Sequence, residues 1–173
     1  FGTSFLNKNI VFRSNKENPT IIELSENIKF NSDVQISDFT IKTGYYGLIF
    51  YSNSLLSNNL LLKTNFEGSI ITAKDDSDLT LKNNTIIFKS GGGDNYFMQP
   101  MFYSGGNTTS GTFTNNIFWS NVNMEWGPIY LNSEDYLIKN NNFYVGTNPI
   151  SGSFNNSINT NDNINFDPLF TDP

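Results

Sequence analysis

The densest run of chemistry-bearing side chains in this chain is Asp75-Asp76-Ser77-Asp78. Three carboxylates within four residues offer hard oxygen ligands, and Ca2+ is the cation such a set suits. The same run also reads as a solvated turn from Lys74 into a strand at Leu79. Hydrolysis of a glycosidic bond needs two carboxyl groups flanking that bond. Glu125 and Asp135, with Glu134 beside the latter, are the pair to consider. The chain carries 16 acidic residues, however, and that many generate close pairs by chance. There is no His and no Cys. Nucleophiles activated by His, disulfides and thiolate metal sites are therefore excluded. A Ser-Lys pair stays open, but no motif supports one. Gly91-Gly92-Gly93 lacks the Lys and helix of a phosphate loop. No catalytic residue is assigned.

Aromatic side chains make a case for binding instead. Trp119, Trp126, Tyr130 and Tyr144 fall in the C-terminal half, and Tyr96, Phe97, Phe102 and Tyr103 lie in a Gly-rich insert. Aromatic faces with amides alongside suit sugar rings, which offer apolar C–H faces and polar rims. Trp119, Trp126, Tyr130 and Tyr144 are the expected glycan contacts, with Glu125 and Asp135 as polar partners. The competing reading is that aromatics stack inside the fold, which is the expectation for Phe next to Asn. The formal net charge is −6 and the ten cations are scattered. Nucleic acid and anionic membranes are poor partners for such a surface. No apolar run is long enough to span a bilayer.

These residues need a scaffold, and the sequence supplies one in repeats. Asn fills roughly one position in six, far above ordinary usage. Six segments follow the pattern apolar, any, polar, Asn, any, apolar. They are Leu6–Val11, Ile36–Ile41, Leu56–Leu61, Leu81–Ile86, Phe113–Phe118 and Ile138–Phe143. The fourth position reads Asn9, Phe39, Asn59, Asn84, Asn116 and Asn141. Short strand-like runs bounded by Asn, Gly and Ser lie between them, and no window has a capped helical period. The repeats predict an all-β, right-handed parallel β-helix solenoid of about 20–32 residues per coil. Asn at each corner has two attractions. It tolerates the left-handed backbone region, and its amide can bond up a stack of coils. Asn59, Asn84, Asn116 and Asn141 are expected to form that ladder, with Phe39 interrupting it. Sequons occur at Asn83, Asn107 and Asn155.

Two stretches add a resemblance. Phe113-Thr-Asn-Asn-Ile-Phe-Trp-Ser-Asn121 and Asn163-Ile-Asn-Phe-Asp-Pro-Leu-Phe-Thr-Asp-Pro173 resemble the closing coils of right-handed parallel β-helix repeat proteins of the pectin-lyase-like superfamily. The Asn-rich style is similar to that of adhesin-like surface proteins of methanogenic archaea and of some bacteria. The resemblance implies that the C-terminal end approaches the end of the β-helix, and the chain reads as a single β-helix piece, residues 1–173, of a larger secreted or cell-surface protein. On that reading Phe1, Phe5 and Leu6 belong to an exposed or covered coil end. The superfamily includes lyases, hydrolases, tailspikes and non-catalytic adhesins, so the fold does not choose an activity. A lyase would need Lys or Arg as base beside Ca2+, and Arg13 is the sole arginine. The expected function is non-catalytic binding of a glycan or a partner surface, without a resident cofactor unless Ca2+ binds at Asp75, Asp76 and Asp78. The alternative is a polysaccharide lyase or glycoside hydrolase.

Overall fold

A computed structural model describes residues 4–6, 9–15, 17, 18, 20–65, 67–89, 100–122, 124, 126–145, 150–152 and 162–169, with backbone alone for 4–6, 150 and 151. Strands recur in threes. The first coil has β1 (Ser4–Leu6), β2 (Ile10–Arg13) and β3 (Ile21–Glu23), and the second β4 (Ile28–Phe30), β5 (Val34–Ser37) and β6 (Thr40–Thr43). The third has β7 (Leu48–Phe50), β8 (Ser54–Ser57) and β9 (Leu60–Lys63), and the fourth β10 (Ile71–Ala73), β11 (Asp78–Lys82) and β12 (Thr85–Phe88). The fifth has β13 (Phe102–Ser104), β14 (Ser110–Thr114) and β15 (Ile117–Ser120). The sixth has β16 (Ile129–Leu131), β17 (Tyr136–Lys139) and β18 (Asn142–Tyr144), and β19 (Ile150–Gly152) opens a further turn.

Every third strand stacks on its predecessor. Sheet A is β1-β4-β7-β10-β13-β16-β19, sheet B is β2 through β17, and sheet C is β3 through β18. All pairings are parallel, as a right-handed β-helix requires. In sheet B, Ile10 pairs with Val34, Val34 with Ser54, Ser54 with Leu79, Leu79 with Gly111 and Gly111 with Tyr136. Successive coils thus run 24, 20, 25, 32 and 25 residues, within the expected range.

The corner between sheets B and C carries the Asn pairs, and each member has its own task. The first member holds the left-handed backbone: Asp38, Asn58, Asn83, Asn115, Asn140 and Asp162 have φ between 54° and 67°. The second member is buried and forms the ladder. This corrects the assignment of both roles to the fourth position of the repeat. The Nδ2 of Asn59, Asn84 and Asn116 each donates to the Oδ1 of the next rung, at 3.1, 3.1 and 2.9 Å. The second N–H of each amide goes to a strand carbonyl below: Ile36, Leu56 and Leu81 respectively. Each Oδ1 also accepts the backbone N–H of the preceding rung. Asn141 continues the pattern onto Asn163, which extends the ladder one rung past the expected four residues. Phe39 occupies the same corner in the second coil. It supplies only its backbone N–H, to Asn59 Oδ1 at 3.1 Å.

The first repeat is out of register with its prediction. Phe12 pairs with Ile36 and Arg13 with Ser37, so Leu6–Val11 does not align with Ile36–Ile41. Asn9 precedes β2 and is exposed. Val11, the expected inward residue, faces outward and is 66% exposed. The true corner of this coil is a longer loop, in which Ser14 Oγ accepts from the Thr20 N–H at 2.6 Å. In an Asn-rich chain, Leu-Asn-Lys-Asn-Ile-Val met the pattern by composition. Arg13 lies by Asp38 at this corner, 3.6 Å from its carboxylate.

Inward residues stack on their counterparts because the rungs repeat about every 4.8 Å. Phe30 lies on Phe50 with centroids 5.0 Å apart, and Phe118 on Phe143 at 4.9 Å. Gly111 lacks a side chain where the Tyr136 ring enters the core, since a Cβ there would lie 2.9 Å from it and 2.4 Å from the Leu79 carbonyl oxygen. Lys63 is 1% exposed. Its Nζ donates to the carbonyls of Gly44 (3.0 Å) and Glu67 (2.7 Å), tying two turns together. Burial lowers its pKa from 10.5 to about 8, with the Glu67 charge opposing the shift. The end-coil expectation for Phe1, Phe5 and Leu6 falls outside the described side chains.

Two outcomes follow from this packing. Asn116→Ala removes the acceptor of the Asn84 backbone N–H and of one Asn84 amide N–H, and equilibrium denaturation should show a loss of about 1–3 kcal/mol per group left unpaired. Asn115→Gly, at the left-handed position, should change stability far less. For Lys63, the unfolded chain binds more protons than the folded one between pH 8 and 10.5. The burial penalty is full below pH 8 and fades as pH rises through that window. Wild type should therefore gain about 1–3 kcal/mol relative to Lys63→Met between pH 7.5 and 10.5. A pH-independent difference would contradict a depressed lysine.

Candidate functional site

Three-residue strands of sheet A bury their first and third side chains and point the second outward. Tyr103 and Tyr130 are these second residues on adjacent rungs, paired in register. Their rings stack with centroids 5.4 Å apart and planes at 21°. Trp126 continues the surface, 5.3 Å from Tyr130 at 33°. A tight turn sets it there. Met124 is fully buried, Gly127 adopts φ 64°, and the Gly127 N–H donates to the Met124 carbonyl at 3.0 Å. Glu125 falls outside the described residues. At the other end, Lys74 places Nζ 5.5 Å from the Tyr103 ring centroid. Gly105 makes room for it, because a Cβ there would meet the Lys74 stem at 2.7 Å. The result is a stacked column of three rings, capped by the Lys74 ammonium over Tyr103, that presents partly exposed ring edges along sheet A.

Trp119 and Tyr144 are elsewhere. They pair in register on β15 and β18, on the outer face of sheet C. A cleft of about 340 Å3 lies there, lined by both rings with Ser120, Asn121, Val122, Val145 and Asn165. The four expected glycan contacts therefore divide between two faces rather than forming one. Tyr103 was grouped with a loop insert and is instead a strand residue of the platform. The alternation Phe102 in, Tyr103 out, Ser104 in was readable as a period of two.

Asp135 and Asp78 meet in a third place. Asp78 pairs with Ser110, and the Gly111 N–H donates to the Asp135 carbonyl, so the two acids flank Ser110 in one outward column. With Glu134 they line an open groove on sheet B. Two rungs separate them, about 9.6 Å along the stack. Tyr136 underlies this groove from the core side. Its hydroxyl lies beside those of Ser104 and Thr109 without a well-aligned hydrogen bond, and desolvation raises its pKa. Asp75 takes a left-handed turn with φ 53°, and its carbonyl accepts from Thr108. Asp75 and Asp76 thus do not join Asp78 as a ligand set, and no group of three such side chains among the described residues is placed to hold a metal ion. Of the sequons, Asn83 and Asn107 are exposed, and Asn155 lies outside the described residues.

The largest cavity among these, about 400 Å3, is remote from all of them. It lies inside the first two coils, between Phe12, Ile22, Phe30 and Phe39, where the ladder is interrupted. Comparison with family models, curated proteins and solved structures finds no match to this chain.

Proposed function

We propose that this chain is a non-catalytic, sugar-binding β-helix of a secreted or cell-surface protein, adhesin-like in the sense of the pectin-lyase-like resemblance. The observation that carries the proposal is the Tyr103–Tyr130–Trp126 surface. Three rings stacked along a rigid sheet present an apolar strip of partly exposed ring edges with an ammonium at one end, against which a glycan chain can lie. Such contacts are individually weak. They gain strength when many copies stand on one surface, because the second contact is intramolecular.

The Asp78–Asp135 column favours a second reading, glycoside hydrolysis with inversion. Its backbone separation of about 9.6 Å, two rungs, lies just beyond the carboxyl spacing of about 6.5–9.5 Å that leaves room for a water, so the side chains would have to lean toward each other.

A glycan panel assayed in parallel for binding and for turnover separates the two. The proposal predicts binding without product, and a loss of about tenfold in affinity, ~1.4 kcal/mol, for Trp126→Ala. Asp135→Asn should leave that binding unchanged. Release of reducing ends from any polysaccharide, abolished by Asp78→Asn or Asp135→Asn, would install the hydrolase instead. Neither binding nor turnover on a broad panel would reduce the domain to a structural spacer.

A further inference from the structure

The sheet C cleft differs in shape and chemistry from the platform on sheet A. The platform is open and ends on Lys74. The cleft is a recess whose walls are Trp119 and Tyr144, one rung apart. Its floor is Val122 and Val145, the latter 1% exposed. Among the described residues, no lysine, arginine or carboxylate lines it. Ser120 stiffens the wall, donating to the Val122 carbonyl at 2.8 Å and accepting its N–H at 3.2 Å. Asn165 brings an exposed amide to the rim. Phe166 is held just beyond by a reciprocal pair of bonds with the Asn142 amide, at 2.8 and 3.0 Å, which fixes where Asn165 stands.

We infer that this cleft is a second, separate sugar site, built for one neutral ring bearing an acetamido group. The inference rests on the sugar-binding reading of the domain. A volume of about 340 Å3 is at the small end for ligand sites, which range over roughly 300–1,000 Å3, and suits a single ring rather than a chain. Trp119 and Tyr144, on neighbouring rungs, form one aromatic side of the cleft that takes an apolar face of the pyranose. Val122 takes the acetamido methyl, which would otherwise stay in water, while Val145 beneath it belongs to the core. The Asn165 amide can both donate to the acetamido carbonyl and accept from its N–H. An unbranched polymer lying across the platform does not need such a recess, so the two faces read different parts of a glycan.

The chain has two tryptophans, one at each site, so each site can carry its own reporter. Trp126→Phe leaves Trp119 as the sole indole, and Trp119→Phe leaves Trp126. Both are titrated with N-acetylglucosamine and, as control, glucose, and a neutral oligosaccharide is added to the second. The Trp119 emission should change saturably with N-acetylglucosamine, at least fivefold more tightly than with glucose. Tyr144→Ala in that background should abolish the response while its melting temperature stays near that of the parent. Asn165→Ala should erase the preference over glucose. Equal responses to the two sugars would overturn the acetamido assignment. A silent Trp119 beside a responsive Trp126 would overturn the cleft and leave the platform standing. Silence of both indoles would remove the sugar-binding reading itself.

Discussion

Each buried asparagine amide at the corner between sheets B and C brings two donors and a carbonyl oxygen out of water. A buried amide left without partners costs a few kcal/mol, a large share of a domain's net stability. In this chain the debt cancels only when a like amide stands one rung above and a strand carbonyl lies one rung below. Asn59, Asn84, Asn116 and Asn141 meet that condition together, with Asn163 accepting from the last of them. The ladder therefore sets both the height of each rung and the register of each strand. A one-residue slip in any coil would break the bonds of two neighbours and turn that strand's core residues outward.

Fixed rungs have consequences on both surfaces of the sheets. Inside, they impose like-on-like stacking, and the Phe30–Phe50 and Phe118–Phe143 pairs adopt centroid separations close to the rung height. Outside, the same repeat brings Tyr103 over Tyr130 and Trp119 beside Tyr144. The aromatic platform is thus a by-product of backbone spacing rather than of a loop that must fold onto ligand. Loops contribute at defined points only, as where Gly127 turns Trp126 into line.

The coils were readable in the sequence from Ile36 onward, because apolar residues flank an Asn pair at each corner. The first coil was not, because its corner is a loop capped by Ser14, and a chain this rich in Asn offers false matches such as Asn9. The split of roles within each Asn pair was also hidden. Both members are Asn in most coils, and only the Asp38-Phe39 and Asp162-Asn163 corners separate the left-handed position from the ladder position. Asn163 is hidden because Thr160 and Asn165 stand where the other repeats carry apolar residues. At the site, period-two alternation tells inside from outside but not which of three sheets a residue faces. That is why Trp119 and Trp126, seven residues apart, were grouped and prove to lie on different faces. The proximity of Asp78 to Asp135, separated by two coils of unequal length, needed the register to be known.

Exchange of the side-chain amide hydrogens tests the ladder most directly. In nitrogen-15-labelled protein the Nδ2 protons of Asn59, Asn84, Asn116 and Asn141 can be followed against exposed amides such as those of Asn107 and Asn140. The ladder predicts that these four resist exchange as long as the core backbone amides of β8, β11 and β14, and open only with global unfolding. Exchange at the rate of the exposed asparagines, with the backbone still protected, would show that the coils hold together without their amides.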